Sequence, residues 1–92
     1  MADTDDSVQL WLVERSYDDR DLIILIYATT DGEYELRKEL AAAVMHQRRM
    51  VTTAAIEAPK KNLESVTDEA LQERYAAEAT KMAESHAPDD EV

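Results

Sequence analysis

Leu22-Ile23-Ile24-Leu25-Ile26-Tyr27-Ala28 decides the fold. The run is apolar on both faces and three of its residues are β-branched isoleucines. It has no helix-length continuation. That pattern suits a central strand paired on both sides. At seven residues it is far short of the ~18 apolar residues that a membrane span needs. A strand hidden on both sides needs cover on both sides, and 92 residues are expected to be too few to supply it unaided.

Upstream, Val8-Gln9-Leu10-Trp11-Leu12-Val13-Glu14-Arg15 has a period near two. Val8, Leu10 and Leu12 share one face, and Gln9, Trp11 and Val13 the other, which reads as a strand. Ser16-Tyr17-Asp18-Asp19-Arg20-Asp21 is a turn, because Asp and Ser bond their own backbone. The two strands form an antiparallel hairpin. Downstream, Thr29-Thr30-Asp31-Gly32 holds the only glycine, and Asp-Gly is favoured where two turn residues take positive φ. Glu33-Tyr34-Glu35-Leu36-Arg37 alternates polar with apolar and predicts a third strand. A helix starting near Glu33 is the competing reading, given the helix formers that follow.

From Lys38 to Arg48, Leu40 and Val44 flank an Ala41-Ala42-Ala43 run and predict a short helix. Met50-Val51-Thr52-Thr53-Ala54-Ala55-Ile56 reads as a fourth strand that Pro59 ends. Lys60-Lys61-Asn62 is loop. Thr67 is the expected N-cap of a long helix, with Val66 and Leu71 in hydrophobic-staple positions. Leu71, Tyr75, Ala79 and Met82 form its apolar stripe, and Pro88 stops it.

The expected architecture is α+β. An antiparallel meander of three or four strands carries a long C-terminal helix and a short middle helix on one face. Residues 1–7 and 87–92 are acidic tails, and residues 8–86 a single domain. The expected core is Leu10, Leu12, Ile24, Ile26, Leu36, Leu40, Val44, Leu71, Tyr75 and Met82. The opposite face would carry Trp11, Val13, Ile23, Leu25 and Tyr27, more apolar surface than a monomer leaves wet. A homodimer or another protein partner is the expected cover.

Twenty-one Asp and Glu against ten Lys and Arg give a formal charge of −11. Such self-repulsion suits a medium that screens it. Acids outnumber lysines 21 to 4, and phenylalanine is absent, a composition like that of extreme halophiles. The charge is uneven: residues 1–36 carry −8, residues 37–61 carry +4, and residues 62–92 carry −7. The basic middle holds Arg37, Lys38, Arg48, Arg49, Lys60 and Lys61. It either pairs with the chain's own acids or binds a polyanion, with Tyr34 near enough to stack on a base. High salt erodes phosphate contacts, which favours the first reading.

Several stretches resemble a group of short, acidic, uncharacterised proteins of halophilic archaea. They are Trp11-Leu12-Val13-Glu14-Arg15, Tyr27-Ala28-Thr29-Thr30-Asp31-Gly32-Glu33, Glu73-Arg74-Tyr75-Ala76-Ala77-Glu78-Ala79 and Pro88-Asp89-Asp90-Glu91. The group carries no established activity. The likeness implies a cellular setting, supports the strand after Gly32, and brings no catalytic residues.

Chemistry leaves little trace in the sequence. No cysteine means no disulfide, thiolate ligand or thiol nucleophile. His46 sits among arginines and His86 has no second histidine at helical spacing. One glycine cannot build a phosphate cradle. No cofactor or metal is expected. The N-terminal MADTDDS is acidic where a signal peptide would be basic and then apolar. The expectation is a cytoplasmic, non-catalytic interaction or self-association module, with a regulatory nucleic-acid-binding module as the alternative.

Overall fold

The computed structural model describes residues 7–44 and 51–92. Its elements are β1 (Ser7–Tyr17), β2 (Leu22–Ala28), β3 (Tyr34–Ala41), β4 (Ala55–Pro59), a 3-10 turn (Lys60–Asn62), β5 (Glu64–Ser65) and α1 (Glu69–Ser85). A short helical stretch covers residues 42–44. The fold is α+β, with one antiparallel sheet in the order β4-β1-β2-β3-β5. The doubly apolar run is its central strand.

Both hairpins reverse by the same device. Asp21 N–H donates to Asp18 O at 3.1 Å, and Gly32 N–H to Thr29 O at 2.9 Å. Each turn then ends on one positive-φ residue, Asp21 at 62° and Gly32 at 73°. The two positive-φ residues expected at Asp31-Gly32 are thus one. Asp31 instead accepts from the Thr29 hydroxyl at 2.6 Å and from Glu33 N–H at 2.9 Å.

The register sorts the side chains. Leu12 faces Tyr27, but Glu14 faces Ile26, so Val13 is an extra residue in a β-bulge. α1 lies on the face of Trp11, Val13, Ile26, Ala28 and Ala55, where it contributes Tyr75 and Ala79. The other face holds Leu10, Leu12, Leu25, Tyr27 and Ala58, with Ile23, Leu36, Leu40 and Leu63 packed against them. Among the described residues no long helix lies over this second face, yet Leu10 is 0% and Leu25 is 2% exposed.

Curling of the sheet explains part of that cover. Laid flat at ~4.8 Å per strand, β4 and β5 would stand about 19 Å apart. Only Lys60–Leu63 joins them, and three of those four residues are in a 3-10 turn, which rises ~2 Å per residue. The edges are therefore drawn together. Leu63 joins the Leu10 cluster, so the curl closes over that face. Beyond it, Val66 packs beside Ile26 and Tyr75, so the segment wraps the end of the sheet from one face to the other.

Four expectations are corrected. The expected single core is three clusters, one on the curl side of the sheet and two on the α1 side. Leu10, Leu12, Leu36 and Leu40 line the curl, while Ile24 and Ile26 pack with Leu71 and Tyr75 of α1. Met82 touches both the curl's cluster and the Trp11 cluster, and Val44 is exposed. The strand after Gly32 runs on through Ala41, so the helix expected from Lys38 starts no earlier than residue 42; its part from Met45 on lies outside the described residues. The fourth strand is Ala55–Pro59, five residues later than expected at its start. The N-cap of α1 is Asp68, whose carboxylate accepts from Ala70 N–H at 2.9 Å and Leu71 N–H at 3.3 Å.

The C-terminal segment is docked, not solvated. Ala54 N–H donates to Asp90 O at 2.8 Å, Ala55 N–H to Pro88 O at 3.0 Å, and Val92 N–H to Thr52 O at 2.9 Å. These bonds occupy the outer edge at the start of β4. Val92 packs on both the Leu10 and Trp11 clusters.

Candidate interaction surface

The five residues expected to form one apolar face do not share a face. Trp11 is 7% exposed and, with Val13, lies against the Ala79 side of α1. Ile23, Leu25 and Tyr27 point the other way, into the curl. The reason is pairing. Trp11 stands opposite Ala28, which puts it on the same side as Ile26 rather than Tyr27. Both sides of β2 are covered by this one chain. Burial raises the pKa of the Tyr27 phenol, with Arg15 opposing, which fits a side chain held in the interior.

The basic residues scatter. Arg48 and Arg49 lie outside the described residues. Arg37 points to the α1 side and pairs with Glu39 at 3.0 Å. Lys38 is on the curl side, opposite Leu25. Lys60 sits over the Tyr34 ring, 5.2 Å from its centroid. Acids separate these bases. Glu35, Arg37, Asn62 and Glu64 line one shallow depression, and the pKa of Glu35 is raised by burial and then by Glu64. A polyanion laid there would meet carboxylates of its own sign.

Other concavities offer little chemistry. An open cleft of about 250 Å³ lies between Arg15, Tyr17, Ile23, Val51 and Val92. Its one basic group, Arg15, already donates to Val92 O at 3.2 Å. Among the described residues, no three His, Asp or Glu side chains gather as ligands for a metal ion. No described helix is long and apolar enough to cross a membrane.

The sheet edge is more informative. Hydrogen bonding alternates along an antiparallel strand. Tyr34 O accepts from Thr29 N–H at 3.2 Å, and Ala42 N–H donates to Asp21 O at 2.8 Å. Even-numbered residues of β3 therefore turn their backbone to β2. Odd-numbered ones turn outward. Glu33 O is taken by Val66 N–H at 2.8 Å, and Glu35 pairs with Glu64. Past Glu35, no strand among the described residues lies beside β3. Arg37 and Glu39 thus present outward N–H and C=O groups, with side chains 55% and 49% exposed. The sequence held a signal for this edge, since Tyr34, Leu36 and Leu40 keep the period of two beyond Arg37.

A family model describing a family of unknown function (DUF7967) matches residues 4–92, nearly the whole chain. The chain belongs to this family. No curated protein and no solved structure matches it. Membership in DUF7967 assigns no activity, so a reading of function has to come from the surface just described.

Proposed function

We propose that this member of DUF7967 is a non-catalytic module that works by association with another protein chain, first of all its own copy, in the cytoplasm of a halophile. The outer edge of β3, beside which no strand among the described residues lies past Glu35, carries this reading. An open edge offers main-chain donors and acceptors in a fixed row, the chemistry by which chains add strands to one another. The apolar faces do not carry it, because the chain covers them itself. The charge of −11 supports the high-salt setting, where screening removes the long-range repulsion between copies.

Sedimentation equilibrium in molar potassium chloride, up to high micromolar protein, tests the reading. A concentration-dependent rise in mass is expected. A single species of 10.4 kDa throughout would overturn it. Polyanion binding is the second reading, supported by Lys60 over Tyr34. Titration with homopolymer RNA at moderate salt checks it, and no binding under conditions where the protein is folded removes it.

A further inference from the structure

We infer that two copies pair antiparallel along the β3 edge in one register, with Arg37 opposite Glu39 of the second copy. This rests on the self-association reading above and names the partner and its alignment.

The backbone limits the choices. Only outward-facing residues can form the hydrogen-bonded pairs of a new ladder, and here these are Arg37, Glu39 and Ala41. A two-fold axis at Lys38 puts Arg37 opposite Glu39 and Glu39 opposite Arg37. Both hydrogen-bonded pairs are then of opposite charge, on the α1 side of the sheet. On the curl side, Leu36 faces Leu40 at the closely spaced positions, and Lys38 faces itself. Cross-strand apolar and opposite-charge pairs stabilise a ladder, and like charges oppose it. Moving the axis to Glu39 instead sets Glu39 against Glu39 and Arg37 against Ala41. That register has no complementary pair.

The ends agree with this alignment. Ala41 would come opposite Glu35, whose outward groups are already used by Glu64. There the incoming strand stops, because β3 ends at Ala41 and residues 42–44 are helical. The ladder is confined to Leu36–Leu40, which makes the dimer weak and reversible. Lys38 at its centre acts as a brake at low salt, as lysines on edge strands do. Salt screens the Lys38 pair and the net charge and also weakens the two Arg37–Glu39 pairs. With −11 on each copy the repulsion is the larger effect, so association strengthens as salt rises.

Charge exchange tests the register, with circular dichroism confirming that each variant folds. Glu39→Arg puts arginine against arginine and should weaken association about tenfold. Its net charge falls in magnitude, −11 + 2 = −9, so a dimer governed by net charge alone would tighten instead. Arg37→Glu should weaken association similarly. The double exchange Arg37→Glu with Glu39→Arg restores the pairs and the affinity, and Lys38→Thr tightens it about threefold or more. A dimer that ignores all four variants overturns the register and leaves self-association standing. A monomer under every condition overturns both.

Discussion

Gly32→Ala should be the most damaging single-methyl change in this protein. A Cβ at position 32 would run into the Gln72 carbonyl oxygen of α1, with the Gln72 carbonyl carbon at 2.9 Å and the Ala76 nitrogen at 3.0 Å. These are backbone atoms, so no side chain can swing aside. The turn or the helix must move until ordinary contact of about 3.5–4.0 Å is restored. Overpacking of this kind costs about 1–3 kcal/mol. The positive φ adds about 1–2 kcal/mol for a residue with a Cβ. Reduced freedom of the unfolded chain returns about 0.4–1 kcal/mol. The net loss is about 1–5 kcal/mol. That is a large share of the roughly 5–14 kcal/mol expected of a chain this size. Melting in molar salt, followed by circular dichroism and Trp11 fluorescence, should show Tm lower by about 5–40 °C. Asp21→Ala is the control: it has the same backbone sign at the other turn but already carries a Cβ, and should cost about 1 kcal/mol or less. If Gly32→Ala melts within a degree or two of the parent, the close approach of turn and helix is wrong.

Further outcomes follow from the same geometry. Asp68→Ala removes the cap that holds two amide donors of α1 and should cost about 1 kcal/mol by urea unfolding, while Thr67→Ala should cost much less. Asp31 has its pKa lowered by the Thr29 hydroxyl and the Glu33 amide. Its stabilisation is present above the ordinary carboxylate value and lost as pH falls through the lowered one; Asp31→Ala should flatten that acid limb of stability against pH. Glu35 is the reverse case, raised by burial and the nearby carboxylates. Its ionisation opposes folding as pH rises through the raised value, so Glu35→Gln should stabilise at neutral pH and have no effect well below the ordinary value. Raising salt from about 0.1 M to about 1 M shortens the screening length from ~10 Å to ~3 Å and should raise Tm; a flat or falling Tm would count against self-repulsion as the main charge effect.

Period and length made β1, β2 and α1 legible in the sequence. The assignment of faces was not, and β2 is the reason. A strand apolar on both sides carries no alternation, so either of its faces can be matched to Trp11. The bulge at Val13 left a trace, since Leu12-Val13-Glu14-Arg15 breaks the alternation with two apolar and then two polar residues, but a plain strand also tolerates such a break. Beyond Arg37, Lys38-Glu39-Leu40-Ala41 is built of helix formers, yet pairing with β2 holds it extended, and tertiary context outweighs that weak preference. The docking of residues 88–92 is main-chain bonding to residues 52–55, which polar side chains do not announce. Gly32 was read as a turn residue. The matching φ of Asp21 shows that the turn alone does not require glycine, and the closeness of the Gln72 carbonyl does.

Self-cover changes what this surface can offer a partner. Had one face of the sheet been left bare, association would have been driven by apolar burial and would depend little on charge placement. Instead, α1 takes the Trp11 face and the curl takes the Leu10 face. Among the described residues, what stays open includes a stretch of β3 backbone at Arg37, Lys38 and Glu39. Binding through such an edge draws on hydrogen bonds whose net gain is modest, about 0.5–1.5 kcal/mol each, and on charges that salt screens. Its specificity therefore lies in register rather than in area. The same feature separates the two ways the edge could act. Nonspecific strand addition would tolerate exchange of Arg37 and Glu39 one at a time, whereas a defined pair of chains would not.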